Sequence, residues 1–460
     1  MGAHELPASR RALIALVLGA AVFARAEEAP PPAAPAAACD ATLPEGAAAM
    51  SMVAEADAAP PESDVLPPVP EASEIPSIGT DEKSNFSFVP IPEIILDPNE
   101  GNTYGLLGVW LILDDKDEIK YMFAPDVRYN QTKGVFPNLR LFGYPSRTER
   151  YSILVGKSTT RDENYEVEYA NRGLWDERAF FLTHVLYERD STERFYGFGN
   201  NTPKGGESNY TSNDFRADAT PGVWVLPHVS VSYRMRIRRF DTQHGQVSGV
   251  PYIGTKYPGL KNKGIDPTVY WQHRLSLTYD SRDSMDMPTE GAYANGYVEG
   301  ADQHVGSSTS FCAFGLEWRD FIPFRGERRN PILAMRALVD YLDGPSDTPY
   351  FLRNTLGGRR YLRGYGGDRF TAFNRSLFGA ELRTRVYERK LFGVKAEVEV
   401  APFVEAGQVF HDITDPPLND LHWVGGLGFR GLVRPQIVAF VDVGYGGEGA
   451  SVFTGIDYPF

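Results

Sequence analysis

The sequence predicts an all-β fold, a transmembrane antiparallel β-barrel of sixteen strands with a long loop folded into its lumen, and three observations lead there. Segments alternate apolar and polar residues: in Val231-Ser-Tyr-Arg-Met-Arg-Ile-Arg238, Val231, Tyr233, Met235 and Ile237 share one face, and Ser232, Arg234, Arg236 and Arg238 the other. That period of two belongs to a strand whose faces meet different media. The 460 residues include 24 Tyr, 27 Phe and 45 Gly at a mean hydropathy of -0.31, as suits strands that show lipid only half their side chains. Beyond the extreme N-terminus no run of eighteen apolar residues exists, so membrane-spanning helices are not expected.

At the start, Arg10 and Arg11 precede the apolar run Ala12 to Phe23, and Ala24-Arg25-Ala26 offers small residues for cleavage. This is the layout of a secretory signal, read here as residues 1–26. Residues 27–85, rich in Ala, Pro and Glu, have no periodic apolar face and read as a disordered periplasmic linker. Cys39 lies in that linker and Cys312 in a predicted strand, so the two are not expected to pair.

Residues 86–460 carry the barrel texture. Alternation recurs in Trp271 to Asp280, where Leu275, Leu277 and Tyr279 oppose Arg274, Ser276 and Thr278, and in Ala396 to Glu405, where Val398, Val400 and Val404 oppose Glu397, Glu399 and Glu405. Rows of like charge fit a water-filled lumen better than a soluble sandwich. Candidate strands begin near residue 103 and number seventeen; an even count is the rule for such barrels, so sixteen is expected. The long connections 190–208, 241–268 and 343–373 read as extracellular loops. Val452, Thr454, Ile456, Tyr458 and Phe460 read as one face of a closing strand, which a barrel needs because an unpaired edge in lipid leaves backbone groups unsatisfied.

The stretch Gly357-Gly-Arg-Arg-Tyr-Leu-Arg-Gly-Tyr-Gly-Gly-Asp-Arg-Phe370 stands apart. Its glycines permit tight turns, while Arg359, Arg360, Arg363 and Arg369 face only Asp368 within it. So many arginines suggest a loop tucked among wall carboxylates.

Several motifs here resemble those of the BamA/TamA-type bacterial surface antigen barrels. Leu362-Arg363-Gly364-Tyr365 is similar to that family's [V/L]-R-G-[F/Y] loop motif. Asn374 to Arg385, with Glu381, resembles the strand after the loop. Phe403-Val-Glu-Ala-Gly407 resembles the F-x-D-x-G strand motif, with Glu405 for the usual aspartate. Phe440-Val-Asp442-Val-Gly444 is a second match that keeps aspartate. Asp280-Ser-Arg-Asp283 resembles the D-x-R-D turn, Phe195-Tyr-Gly-Phe-Gly-Asn200 a segment of members without periplasmic repeats, and Phe460 the end of the closing strand. The resemblance implies that Arg363 pairs with Glu405, Glu381 or Asp442, and that the protein helps other proteins insert into or cross the outer membrane. The family's periplasmic POTRA repeats have no counterpart in the linker. The expected partners are therefore outer-membrane lipid, client outer-membrane proteins and a separate periplasmic protein. A passive solute channel and a structural surface barrel are the alternatives.

Other classes are disfavoured. A net charge of -14 argues against nucleic acid as a partner. The eight histidines show no H-E-x-x-H spacing, and neither G-x-S-x-G nor a P-loop occurs. No enzyme activity, cofactor or metal site is expected. Asp97-Pro-Asn-Glu-Gly101 and Asp114-Asp-Lys-Asp-Glu118 hold enough oxygens for Ca²⁺, but turn chemistry explains them as well. The arginine row at 234–238 could hold an anionic solute or simply solvate a wet interior.

Overall fold

The computed structural model describes residues 86–113, 119–285, 287–326, 331–391, 394–433, 437–456 and 458. The expected signal (1–26), the linker (27–85), Asp114–Glu118 and Phe460 lie outside them. No helix among the described residues is long and apolar enough to cross a membrane.

The strands in chain order are β1 (Phe86–Asp97), β2 (Gly101–Leu113), β3 (Ile119–Phe123), β4 (Asp126–Asn130), β5 (Gly134–Ser146), β6 (Glu149–Lys157), β7 (Glu163–Gly173), β8 (Ala179–Phe195) and β9 (Ser208–Leu226). Then come β10 (Val229–His244), β11 (Thr268–Asp280), β12 (Gly291–Ala301), β13 (Phe311–Pro323) and β14 (Ile332–Asp343). The short β15 (Asn354–Leu356) and β16 (Phe370–Ala372) precede β17 (Asn374–Leu391), β18 (Val394–Phe410), β19 (His422–Val433), β20 (Ile437–Gly446) and β21 (Gly449–Ile456).

Nineteen of these strands form one antiparallel sheet, and β15 and β16 form a two-stranded sheet of their own. Strands β3 and β4 both pair β2 and β5, so they are two halves of one passage, and the wall has eighteen passages among the described residues. This corrects the expected sixteen. The passage missed in the sequence is β1, because Pro90 and Pro92 argue against a strand. The wall tolerates them because β1 stands at the end of the sheet.

β1 and β21 lie side by side: Leu96 N donates to Thr454 Oγ1 at 2.8 Å, and Thr454 Oγ1 donates to Ile94 O at 2.6 Å. Among the described residues, however, no ladder joins these two strands, whereas every other pair of neighbours in the wall is laddered.

Side chains divide as the alternation demands. On β10, Met235 is 44% exposed beside Arg236 at 3%; on β18, Val404 is 46% exposed beside Glu405 at 3%. The apolar residues face outward, and the charged ones face the lumen. There the arginine rows meet wall carboxylates: Arg234 and Arg274 reach Glu299, Arg236 reaches Asp218, and Arg216 and Arg238 share Asp214. Pairing disposes of the charge more fully than water alone would.

Strand direction reverses at every turn, which sets the long connections 196–207, 245–267, 344–373 and 411–421 at the end away from residues 86 and 456. At the other end, Asp280 takes a bidentate contact from Arg282 (2.9 and 2.8 Å), and Asp283 accepts from the N–H groups of Thr289 and Glu290. At the long-loop end, Asp97 Oδ1 accepts from the N–H groups of Asn99 and Glu100. Asp97 therefore closes its own turn.

Candidate functional site, the Arg363 loop

Residues 344–373 leave β14, turn inward and return as β17. The pairing of β15 with β16, Asn354 to Ala372 through Leu356 to Phe370, pinches the base of the excursion. Beyond the pinch the loop closes on itself: Gly357 N donates to Tyr361 O, Gly358 N to Tyr365 O, and Tyr365 N to Leu362 O. Gly357 has φ +120° and a Cβ there would sit 2.1 Å from Gly366 O, so only glycine fits. Leu362 is left-handed with φ +72° and fully buried. That conformation costs roughly 1–2 kcal/mol, which burial of the leucine side chain offsets. Leu362 packs with Leu356, Tyr365, Phe370, Leu377, Phe403 and Val424. These contacts hold the turn that aims its neighbour.

Arg363 is 0% exposed and meets three carboxylates from three strands. Its Nε donates to Glu405 Oε1 on β18 at 2.8 Å, and its backbone N–H to Glu405 Oε2 at 2.7 Å. Its Nη1 donates to Glu381 Oε2 on β17 and to Asp442 Oδ2 on β20, both at 2.8 Å. The guanidinium also lies 3.6 Å above the Phe403 ring. The sequence posed Glu405, Glu381 and Asp442 as alternatives, and the barrel brings all three to one point. Two wall arginines complete the cluster: Arg383 Nε reaches Glu381 Oε1 at 3.0 Å, while Arg430 on β19 contacts Asp442 and, at 3.2 Å, Glu381. Three cations thus face three anions, which is how so many buried charges are tolerated.

The wall is shaped for this loop. A Cβ on Gly444 would lie 2.3 Å from Arg363 O, and one on Gly446 2.8 Å from the Tyr365 ring. Both glycines mark a close backbone approach that sequence reasoning missed; glycine in a strand interior was the available signal. Gly364 O accepts from Ser451 Oγ at 3.1 Å, and Tyr365 Oη accepts from Gly447 N at 2.8 Å. Farther along, Arg369 binds Glu448 and Thr202, and Gly367 O accepts from Asn99 Nδ2 at 2.9 Å. The segment Phe195–Asn200 touches the returning strand, with Gly199 N donating to Thr371 O at 2.7 Å.

The proposed closing strand differs in detail from the sequence expectation. β21 stops at Ile456, and Tyr458 does not extend the outward face. Its ring lies 3.9 Å from the Arg383 guanidinium and its hydroxyl 3.4 Å from Glu399, both on the lumen side. Alternation ends where the strand ends.

The sequence profile of the Omp85 superfamily domain matches residues 147–421, a span that includes Arg363, Glu381 and Glu405. No curated protein sequence matches the chain. Among solved structures, BamA from Haemophilus ducreyi lacking POTRA domains 1-3 aligns with a TM-score of 0.50 at 13% identity, over 80% of this chain and 75% of that one. CdiB from Escherichia coli aligns with a TM-score of 0.46 at 9% identity, over 82% of this chain and 62% of that one. CdiB from Acinetobacter baumannii gives 0.42 at 11%, over 83% and 64%.

Proposed function

The chain belongs to the Omp85 superfamily of outer-membrane β-barrels, and from that premise we propose that it assists the insertion of proteins into the outer membrane or their passage across it, in the manner of the BamA/TamA type. The observation that carries this reading is the closure of the wall. Among the described residues, β1 and β21 touch through Thr454 without a ladder, while all other neighbours are laddered. Such a boundary parts at smaller cost than any other in the wall and uncovers strand edges on which an extended segment can pair. The Arg363 loop braces β17 to β20, next to that boundary, so the rest of the wall keeps its shape when the boundary moves.

In this reading, residues 1–26 direct export, residues 27–85 lie in the periplasm, and a separate periplasmic partner delivers client chains. The long-loop end faces outward. The test is reconstitution in vesicles with an unfolded eight-stranded outer-membrane barrel protein as client. Assembly should run several-fold faster with the protein than without it; an unchanged rate sinks the proposal. A second reading, a solute channel, draws on the cavity of about 300 Å³ between loop and wall, lined by Arg216, Arg238, Glu193, Asp214, Arg359 and Asp368. Large steady currents from the intact protein in planar bilayers, with no effect on client assembly, would favour it.

A further inference from the structure

Arg353, just before β15 in the loop 344–373, is a buried cation held differently from the arginines around it. Arg194 reaches Glu207 at 2.9 Å, and Arg369 reaches Glu448 at 2.6 Å. Arg353, only 6% exposed, instead gives Nε to Thr348 O at 3.2 Å and Nη2 to Ser346 O at 3.1 Å. Its guanidinium lies 3.9 Å from the Phe198 ring and 4.0 Å from the Phe373 ring. Ring faces replace part of the lost hydration, but they leave the charge without an anion. Among the described residues no carboxylate lies within 4 Å of the group, and Nη1 has no acceptor. Asp347 is exposed and acts only from a distance. Burial pulls the Arg353 pKa down to about 10, so the group stays charged at neutral pH.

Arg353 and Phe198 line one cavity of about 420 Å³ at the long-loop end. That volume lies within the roughly 300–1,000 Å³ typical of small-molecule sites. Cross-links hold its walls in place. Asn200 Oδ1 accepts from Val409 N at 2.9 Å, and Asn200 Nδ2 donates to Asp420 O at 2.7 Å. Gln408 Nε2 donates to Pro416 O at 2.7 Å, and Gln408 Oε1 accepts from Asp420 N at 2.6 Å. Phe198, Val409 and Phe410 make part of the lining apolar, while Asp415 and Asp420 bring two acids from the connection 411–421. Asp415 Oδ2 accepts from the N–H groups of His411 and Asp412, at 3.2 and 2.8 Å. Asp420 is exposed, and its Oδ2 accepts from Asn201 Nδ2 at 2.6 Å, a neutral donor that leaves the charge uncancelled. The cavity thus offers a cation in its buried part, an anion in its exposed part and apolar surface as well.

We infer that this cavity binds a short zwitterion with an apolar body, about the size of a dipeptide, whose carboxylate accepts from Arg353 Nη1 and whose ammonium lies against Asp420. A carboxylate supplies both the acceptor that Nη1 lacks and the negative charge that two rings cannot, in a charge-assisted hydrogen bond. A bare anion meets repulsion from Asp415 and Asp420, and a bare cation meets it from Arg353. The inference stands apart from the insertion reading, since it draws on no residue of the β1–β21 boundary.

The test is calorimetric titration of the full-length protein in detergent micelles with dileucine, dileucine amide and N-acetyl-dileucine. Dileucine should bind saturably; the amide, without a carboxylate, and the acetylated form, without an ammonium, should each bind about tenfold more weakly or worse. Arg353→Gln should weaken dileucine about tenfold. Because Arg353 also holds the carbonyls of residues 346 and 348, a second variant guards against a loop that has merely moved. Asp420→Asn keeps an acceptor for Asn201, and it should weaken dileucine several-fold while binding N-acetyl-dileucine as the wild type does. No saturable binding of dileucine, equal binding of the amide, or an Arg353→Gln variant that binds like wild type overturns the site. Equal binding of the acetylated form, or an Asp420→Asn variant unchanged toward dileucine, overturns the zwitterion.

Discussion

Arg363 is where the loop is held, and its chemistry predicts what its loss does. Removing one partner from a buried ionic cluster leaves charge without compensation, so Arg363→Ala should cost roughly 3–5 kcal/mol in urea unfolding and open residues 357–370 to protease. If both measures match wild type, the brace is wrong. Glu405→Gln keeps an acceptor for the Arg363 N–H but loses the charge, and it should cost less, roughly 1–3 kcal/mol. Arginine among glycines could be picked out from the chain alone, because a solvated loop has no use for that composition. Which carboxylate it meets could not: Glu381, Glu405 and Asp442 lie on three different strands, and only closure of the wall sets them within 2.8 Å of one side chain.

At the level of elements, strands with sharp alternation were legible and the atypical ones were not. Val231 to Arg238 declares its two faces because one meets lipid and the other a charged lumen. β1 does not, since its prolines are admissible only at the end of a sheet and a local pattern carries no information about which strand that is. The wall glycines hid for a similar reason. Gly444 reads as an ordinary strand glycine until the loop is seen 2.3 Å from where its Cβ would stand. Gly444→Ala should therefore loosen the loop while leaving the strand in place: protease cuts within 357–370 several-fold faster, with an unchanged far-ultraviolet circular dichroism spectrum. Equal cutting rates would mean that the strand shifts to make room.

For the molecule as a whole, a loop packed into the lumen limits what passes through it. Deleting residues 357–370 should raise single-channel conductance in planar bilayers several-fold over the intact protein; an unchanged conductance would mean the lumen is closed elsewhere. By itself the chain determined the medium each strand face meets, the presence of an inward loop rich in cations, and the acids able to receive it, because these follow from side-chain chemistry repeated at a period of two. The tertiary structure alone decided the number of passages, the meeting of β17, β18 and β20 at one guanidinium, and the contact of Thr454 with Leu96 and Ile94. Those depend on registers between strands as far apart as Ile94 and Thr454, and a local pattern cannot encode a distance that only a closed sheet creates.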